Sequence, residues 1–188
     1  MKHYIELGID HILDLNGLDH FYFIISFCIV YSIKDLRKIL GLITAFTVGH
    51  SITLALSLFN LVSIDPNLIE WLIPLTILIS CLINYWTLLN KNNYQLPKGY
   101  LIYFIILTFG LIHGLGFSNF LSTMLFKDES ILIPLLGFNI GIEIAQLIIV
   151  FVVLLILSFN NKQKKIKRNI RLIVNTIISL LVLHMIFQ

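Results

Sequence analysis

Six apolar segments separated by short polar stretches dominate the chain. They cover Leu18–Ile33, Ile39–Asn60, Leu68–Leu89, Gly99–Phe126, Ile131–Phe159 and Ile170–Phe187. A helix needs about 20 apolar residues to cross a bilayer core about 30 Å thick. The first segment is short by this measure, and the fourth and fifth are long enough to tilt or break. The pattern predicts six transmembrane helices in a single domain, residues 1–188.

The segment that precedes these spans, residues 1–16, has a different pattern. Its apolar and acidic side chains fall on separate stripes of a helix, with Ile5, Ile9, Ile12 and Leu13 on one and Glu6, Asp10 and Asp14 on the other. This is typical of an amphipathic helix that lies in the membrane interface. We therefore expect an all-α membrane protein with six transmembrane helices plus a short N-terminal amphipathic interfacial helix.

Composition agrees with a lipid environment. Hydrophobic residues make up 58% of the 188 residues and charged residues only 12%, whereas soluble domains carry about 25% charged residues. An ordinary soluble domain is therefore excluded. We expect membrane lipid as a partner and no nucleic acid, and the composition leaves open whether the chain forms a homo-oligomer.

The basic residues are distributed asymmetrically. Eleven of the 13 follow the first, third and fifth predicted spans: Lys34, Arg37, Lys38, Lys91, Lys98, Lys162, Lys164, Lys165, Lys167, Arg168 and Arg171. Cytoplasmic loops carry the excess of lysine and arginine, so these loops are expected inside. Six spans then place both termini outside.

Ionisable side chains inside the apolar segments are the candidates for function. They are Asp19, His20, His50, His113 and Glu143. At 1.5 Å per helical residue, His50 and His113 lie about 20 Å from the cytoplasmic edge and Glu143 about 18 Å from the outer side. Charged or ionisable groups at membrane depth are costly and usually mark a site. Their shared level predicts one site built from several helices.

Other polar residues share helix faces with these candidates. Asn139, Glu143 and Gln146 are spaced as one face of the fifth span, and Thr47, His50 and Ser51 lie on one face of the second. We expect Asn139, Gln146, Thr47 and Ser51 to orient ligands or water. Each candidate also has a structural alternative. Asp19, for example, can form a helix-capping pair with Asn16, and Glu70 can form a second such pair with Asn67.

Glycines flank the polar positions. Gly137 and Gly141, like Gly110 and Gly114, have the small-xxx-small spacing that allows close helix contact. The run from His113 to Gly116 is rich enough in glycine to unwind, as broken helices at transport sites do.

Imidazole and carboxylate together form a ligand set for borderline divalent metals, Ni²⁺, Co²⁺ or Zn²⁺. Both cysteines, Cys28 and Cys81, lie away from the polar level, which argues against a soft-metal site for Cu(I).

Four segments resemble motifs of the HupE/UreJ family, membrane accessory proteins of hydrogenase and urease regarded as nickel or cobalt permeases. They are Gly8–His20, Thr44–Leu54, Gly110–Phe117 and Phe138–Gln146. The resemblance implies that His11, Asp19 and His20 form the family's His-x-Asp-His element, and that His50, His113 and Glu143 belong to its polar core. In the family pattern about five residues separate the first histidine from the Asp-His pair, whereas seven separate His11 from Asp19 here.

The sequence therefore favours a permease that moves a divalent transition metal, nickel before cobalt, through a bacterial cytoplasmic membrane. An intramembrane zinc hydrolase that uses the same cluster, with Ser51 or Glu143 assisting, is the alternative from another class. Haem b held by His50 and His113 is a third possibility.

Overall fold

The computed structural model describes residues 1–14, 17–90, 99–124, 131–159 and 164–187, with the backbone alone at 118–124, 159 and 164. Its α-helices are α1 Lys2–Leu13, α2 Asp19–Cys28, α3 Leu36–Leu58, α4 Pro66–Leu89, α5 Tyr100–Met124, α6 Leu132–Phe159 and α7 Lys164–Ile186. One turn of 3-10 helix, Ile33–Asp35, precedes α3. No strand occurs in these ranges, so the prediction of an all-α fold is confirmed for the described residues.

Five helices are long and apolar enough to cross a membrane. Among the described residues, these stretches are Ile33–Leu58, Pro66–Leu89, Tyr100–Phe117, Leu132–Ser158 and Lys165–Ile186. They match five of the six predicted spans. The sixth, Leu18–Ile33, corresponds to α2, which has only 10 residues and is about 15 Å long. A count of six spans is therefore not confirmed by helix length.

The N-terminal helix α1 packs closely along the first half of α6. Gly8 lies so near α6 that a Cβ there would overlap the carbonyl oxygen of Phe138, and a Cβ on Gly141 would overlap that of Ile5. The predicted close approach at Gly137 and Gly141 is thus found, with α1 as the neighbouring helix. Because this face of α1 is covered by protein, an interfacial position for the helix is not confirmed.

Helices α3 and α5 form a second close contact. A Cβ on Gly110 would overlap the carbonyl oxygen of Phe46, and one on Gly114 would overlap Thr53 and His50. The expected unwinding at His113–Gly116 is wrong, because α5 is helical from Tyr100 to Met124. The glycines serve to bring two intact helices together, and this places His50 and His113 side by side.

The start of α4 differs from the predicted cap. Asp65 is the N-cap residue, its Oδ1 accepting from the backbone N–H of Asn67 at 3.0 Å, and Pro66 begins the helix. The prediction that Glu70 caps this helix with Asn67 is therefore wrong. Proline suits the first helical position because its missing N–H would have no partner there. Glu70 is left exposed one turn into α4.

Buried polar contacts fix α2 against α4 and α7. Asn84 Nδ2 donates to the carbonyl oxygen of Ser26 at 2.6 Å and to Asn175 Oδ1 at 3.0 Å. Arg171 donates from Nη2 to the carbonyl oxygen of Tyr31 at 2.8 Å, just beyond the end of α2. Carbonyls at a helix end lack partners within the helix, so these contacts anchor the short helix in the bundle.

Candidate metal centre

Four histidines from four helices meet where α1 ends and α2 begins. His11 lies in the last turn of α1 and His20 in the first turn of α2. The ring centroids of His11 and His20 are 4.5 Å apart, and those of His20 and His113 are 5.0 Å apart. His50 lies 6.0 Å from His11 and 6.1 Å from His20. The break between the two short helices thus brings the N-terminal residues to the middle of the bundle.

Two overlapping sets of three side chains could each hold a metal ion. One is His11, His20 and His50, and the other is Asp19, His20 and His113. Within each set, one ligand atom per residue lies within 4.8 Å of the others. His20 belongs to both sets, and its Nδ1 also lies 3.3 Å from Asp19 Oδ1. The geometry therefore offers two neighbouring positions for a cation that share one ligand.

The imidazoles are buried without the partners that buried nitrogen normally has. His20, His50 and His113 are 3%, 0% and 1% exposed. No hydrogen-bond partner among the described residues reaches His11 Nε2, His20 Nε2, either nitrogen of His50, or His113 Nδ1. Buried polar atoms are nearly always paired. Unpaired nitrogens on four neighbouring histidines are the arrangement expected of ligands that bind a cation.

Phenylalanine rings surround the cluster. Phe117 lies 3.8 Å from the His11 ring and stacks on Phe138 at 4.7 Å. Phe46 contacts the rings of His20, His50 and His113, with centroid distances of 6.2, 6.2 and 5.2 Å. An apolar wall of this kind disfavours charged imidazolium and limits water. It favours neutral imidazoles that can offer lone pairs to a metal.

A cavity of about 520 Å³ connects the cluster to the surface at the α3–α4 connection. Its inner wall includes His11, Asp19, His20 and His113, and its outer wall includes Asn60, Ser63 and Glu70. His50 is absent from the lining. All three members of the set that contains Asp19 and His113 therefore line the cavity, whereas in the other set His11 and His20 line it and His50 does not.

The structure does not bring Glu143 into the cluster. Its Oε1 accepts from Thr44 Oγ1 at 2.9 Å across the contact between α3 and α6, and it belongs to neither ligand set. Gln146 Oε1 accepts from Thr47 Oγ1 at 3.0 Å on the same contact. These two pairs join the helices beside the histidines.

The remaining residues expected to orient ligands form hydrogen bonds to backbone carbonyls of their own helices. Ser51 donates to the carbonyl oxygen of Thr47 at 2.6 Å, and Asn139 donates to that of Leu135 at 2.8 Å. Among the described side chains outside the two ligand sets, Thr76 is the one that hydrogen-bonds to a cluster histidine, with its Oγ1 2.9 Å from His113 Nε2. The sequence alone could have indicated Thr76 as a buried polar residue, because a polar stripe recurs every four residues on the otherwise apolar α4, at Thr76, Ser80 and Asn84.

Fold and site together define a class of protein. The described residues contain five helices of membrane-spanning length and a histidine and aspartate cluster at the end of a cavity, which describes a multi-pass helical membrane protein with side chains able to bind a metal. A family model described as HupE / UreJ protein matches residues 1–188, the whole chain. The chain therefore belongs to the HupE/UreJ family. No curated protein and no solved structure matches it.

This membership confirms the predicted class, a membrane accessory protein of the hydrogenase and urease type. It is consistent with handling of nickel or cobalt.

Proposed function

We propose that the protein is a permease for a divalent transition metal, with Ni²⁺ as the principal cargo and Co²⁺ as a second. The observation that carries the proposal is the pair of overlapping ligand sets at the inner end of the cavity, with His20 in both. A resident metal needs one complete set of ligands. Two adjacent, incomplete sets of ligands suit a transported ion, because a transport site must bind the ion strongly enough to be occupied and weakly enough to release it.

The donor types support the choice of metal. Four imidazoles and one carboxylate suit Ni²⁺, Co²⁺ and Zn²⁺, whereas Mg²⁺ and Ca²⁺ prefer shells of oxygen. The two cysteines, Cys28 and Cys81, are buried and belong to neither ligand set. Within this group of metals, the family favours nickel and cobalt.

The positions of the two sets suggest a path. The ion enters the cavity past Glu70 and first meets Asp19, His20 and His113, where the carboxylate offsets part of its charge. It then exchanges Asp19 and His113 for His11 and His50 while His20 stays bound. Keeping one ligand throughout lowers the cost of the step, because the ion is never fully stripped in an apolar environment.

Helices α1 and α2 together supply the first crossing in this proposal. With 12 and 10 residues they are about 18 and 15 Å long, and their combined length, about 33 Å, is enough to span a bilayer core of about 30 Å. α1 packs on the start of α6, and α2 ends near Asn84 and Arg171. Broken helices place binding groups at mid-membrane in many transporters.

Six crossings then leave both termini outside a bacterial cytoplasmic membrane, as the basic residues indicate. The cavity opens on the outer side in that orientation.

Glu143, Gln146, Thr47, Asn139 and Ser51 keep a role as the neighbours of this path. The bonds from Thr44 to Glu143 and from Thr47 to Gln146 hold α3 beside α6 next to His50. We expect Glu143→Gln to retain wild-type Ni²⁺ affinity, because Glu143 lies outside both sets, and to slow uptake. Affinity reduced as strongly as by His50→Ala would instead place Glu143 among the ligands.

A zinc hydrolase is the second candidate, and one observation favours it. Asp19, His20 and His113 form three protein ligands beside a cavity, the arrangement that leaves an open position for activated water. The residues expected to assist are not in place, because neither Ser51 nor Glu143 lines the cavity. The permease accounts for the second set of ligands, which the hydrolase leaves unused.

The two functions are separated by reconstituting the purified protein into vesicles that contain a nickel-sensitive dye. The permease predicts protein-dependent entry of Ni²⁺ and no cleavage of lipid or peptide. Zinc-dependent cleavage without entry of Ni²⁺ would establish the hydrolase instead. A haem site predicts a Soret band in the purified protein.

A further inference from the structure

Thr76 on α4 is the described side chain outside the ligand sets that hydrogen-bonds to a cluster histidine. It is 2% exposed, and its Oγ1 lies 2.9 Å from His113 Nε2. The same hydroxyl donates to the carbonyl oxygen of Ile73 at 2.7 Å. A threonine hydroxyl has one hydrogen to donate and two lone pairs that accept. With its hydrogen committed to Ile73, Oγ1 is left as an acceptor for His113.

The contact with Thr76 determines which nitrogen of His113 carries the proton. An accepting Oγ1 requires a donating Nε2–H, and a neutral imidazole then has its lone pair on Nδ1. His113 Nδ1 is buried and has no hydrogen-bond partner among the described residues. The opposite tautomer would leave a buried N–H on Nδ1 without an acceptor, which costs about 1–3 kcal/mol. Both observations assign the proton to Nε2.

We propose that Thr76 is a positioning residue that holds His113 in the Nε2–H tautomer and turns the Nδ1 lone pair toward the cation. The proposal rests on the function proposed above, since it concerns the ligand set that faces the cavity. Metal-binding histidines generally donate their second ring N–H to an acceptor that fixes ring and tautomer. Here the acceptor comes from α4, a helix that contributes none of the ligands.

The hydrogen bond from Thr76 Oγ1 to the backbone carbonyl of Ile73 is the reason that Oγ1 accepts, and does not donate, in its contact with His113. A hydroxyl free to rotate would accept or donate equally well, and would leave both tautomers of His113 open. Ile73 lies one turn before Thr76 on α4 and lines the cavity. Because both residues belong to the same helix, the backbone carbonyl of Ile73 has a fixed position relative to Thr76. Ser80 Oγ in turn donates to the carbonyl oxygen of Thr76 at 3.2 Å, which adds a second contact along the polar stripe.

The test is a titration of the purified protein in detergent with Co²⁺, read by its ligand-field absorption. Thr76→Val keeps the shape and removes the hydroxyl, and we expect it to weaken Co²⁺ binding about 10- to 100-fold and to change the absorption spectrum. Thr76→Ser retains the hydroxyl and should restore both. Thr87→Val is the matched control, because Thr87 is buried on the same helix and its hydroxyl donates to the carbonyl oxygen of Ile83; its affinity should remain that of the wild type.

Loss of binding in both Thr76→Val and Thr76→Ser would overturn the proposal, as would wild-type affinity in Thr76→Val. If Thr76→Val cannot be purified, Thr76→Ala must show the same loss and the same spectral change, and wild-type binding there would also overturn it. His113→Ala distinguishes the ligand role of His113 from the positioning role of Thr76. If it leaves Co²⁺ binding unchanged, His113 is not a ligand, and both the set that contains it and the role of Thr76 fail. If it weakens binding and Thr76→Val does not, only the role of Thr76 fails.

Discussion

The close contact of α1 with α6 leads to a specific prediction for Gly8→Ala. A Cβ at this position would overlap the carbonyl oxygen of Phe138 and lie 3.0 Å from the backbone nitrogen of Ile142. Both obstacles belong to the backbone of α6, so neither can rotate away. Attractive contacts between heavy atoms begin near 3.5 Å, and α1 must therefore move outward by roughly 1 Å.

This shift would affect the cluster through His11, which follows Gly8 by almost one turn of α1. A metal–nitrogen bond of about 2.0–2.1 Å does not tolerate a displacement of roughly 1 Å, so the set of His11, His20 and His50 would lose one of its three ligands. We expect Ni²⁺ affinity to fall about tenfold or more. Overpacking of this kind also costs about 1–3 kcal/mol of stability.

Isothermal titration calorimetry with Ni²⁺ measures the affinity of the purified variant, and thermal unfolding reports its stability. Gly41→Ala is the matched control, because the nearest atoms to its Cβ belong to the Tyr103 side chain, at 3.0 Å, and that ring can shift. Gly141→Ala should resemble Gly8→Ala. A folded Gly8→Ala protein with wild-type Ni²⁺ affinity would show that the close packing of α1 on α6 does not position His11.

Three further predictions concern topology, stability and selectivity. A cysteine at Ser63 should react with an impermeant reagent from outside, and one at Lys34 only after permeabilisation; the reverse result would invert the orientation. Asn175→Ala should lower the melting temperature by removing bonds to Asn84 and to the carbonyl of Cys81, each worth about 1 kcal/mol; an unchanged melting temperature would show that this network is not stabilising. Binding of Ni²⁺ should weaken in acidic solution, since protonated imidazole is lost as a ligand, and Co²⁺ should compete where Mg²⁺ and Ca²⁺ do not. Competition by Mg²⁺ would indicate an oxygen-rich site.

Most of the long helices could be predicted from the sequence, because a run of about 20 apolar residues has few alternatives. The packing of α1 on α6 could not. Residues 1–16 carry acidic side chains every four residues, which indicates a surface helix when only the helix itself is considered. Gly8 is what allows α1 to pack on α6, and its partners, Phe138 and Ile142, lie far away in sequence.

The site was partly predictable for the same reason. Depth along a helix placed His20, His50 and His113 at one level, and the structure brings them together. The depth of a residue in the membrane does not determine which way its side chain points around the helix axis. Glu143 lies at the same predicted depth as the histidines, but its carboxylate accepts a hydrogen bond from Thr44. His11 was included through the resemblance alone, with seven residues before Asp19 in place of about five. The structure places its ring beside His20 all the same.

The central claim is that the cargo passes through the ligand shared by both sets, His20. Uptake of radiolabelled Ni²⁺ into proteoliposomes tests it most directly, with His20→Ala compared with wild type and with His184→Ala, a change on α7 outside the cluster. We expect His20→Ala to abolish protein-dependent uptake and His184→Ala to retain it. Uptake by His20→Ala at the wild-type rate, from protein that is folded and equally reconstituted, would contradict it.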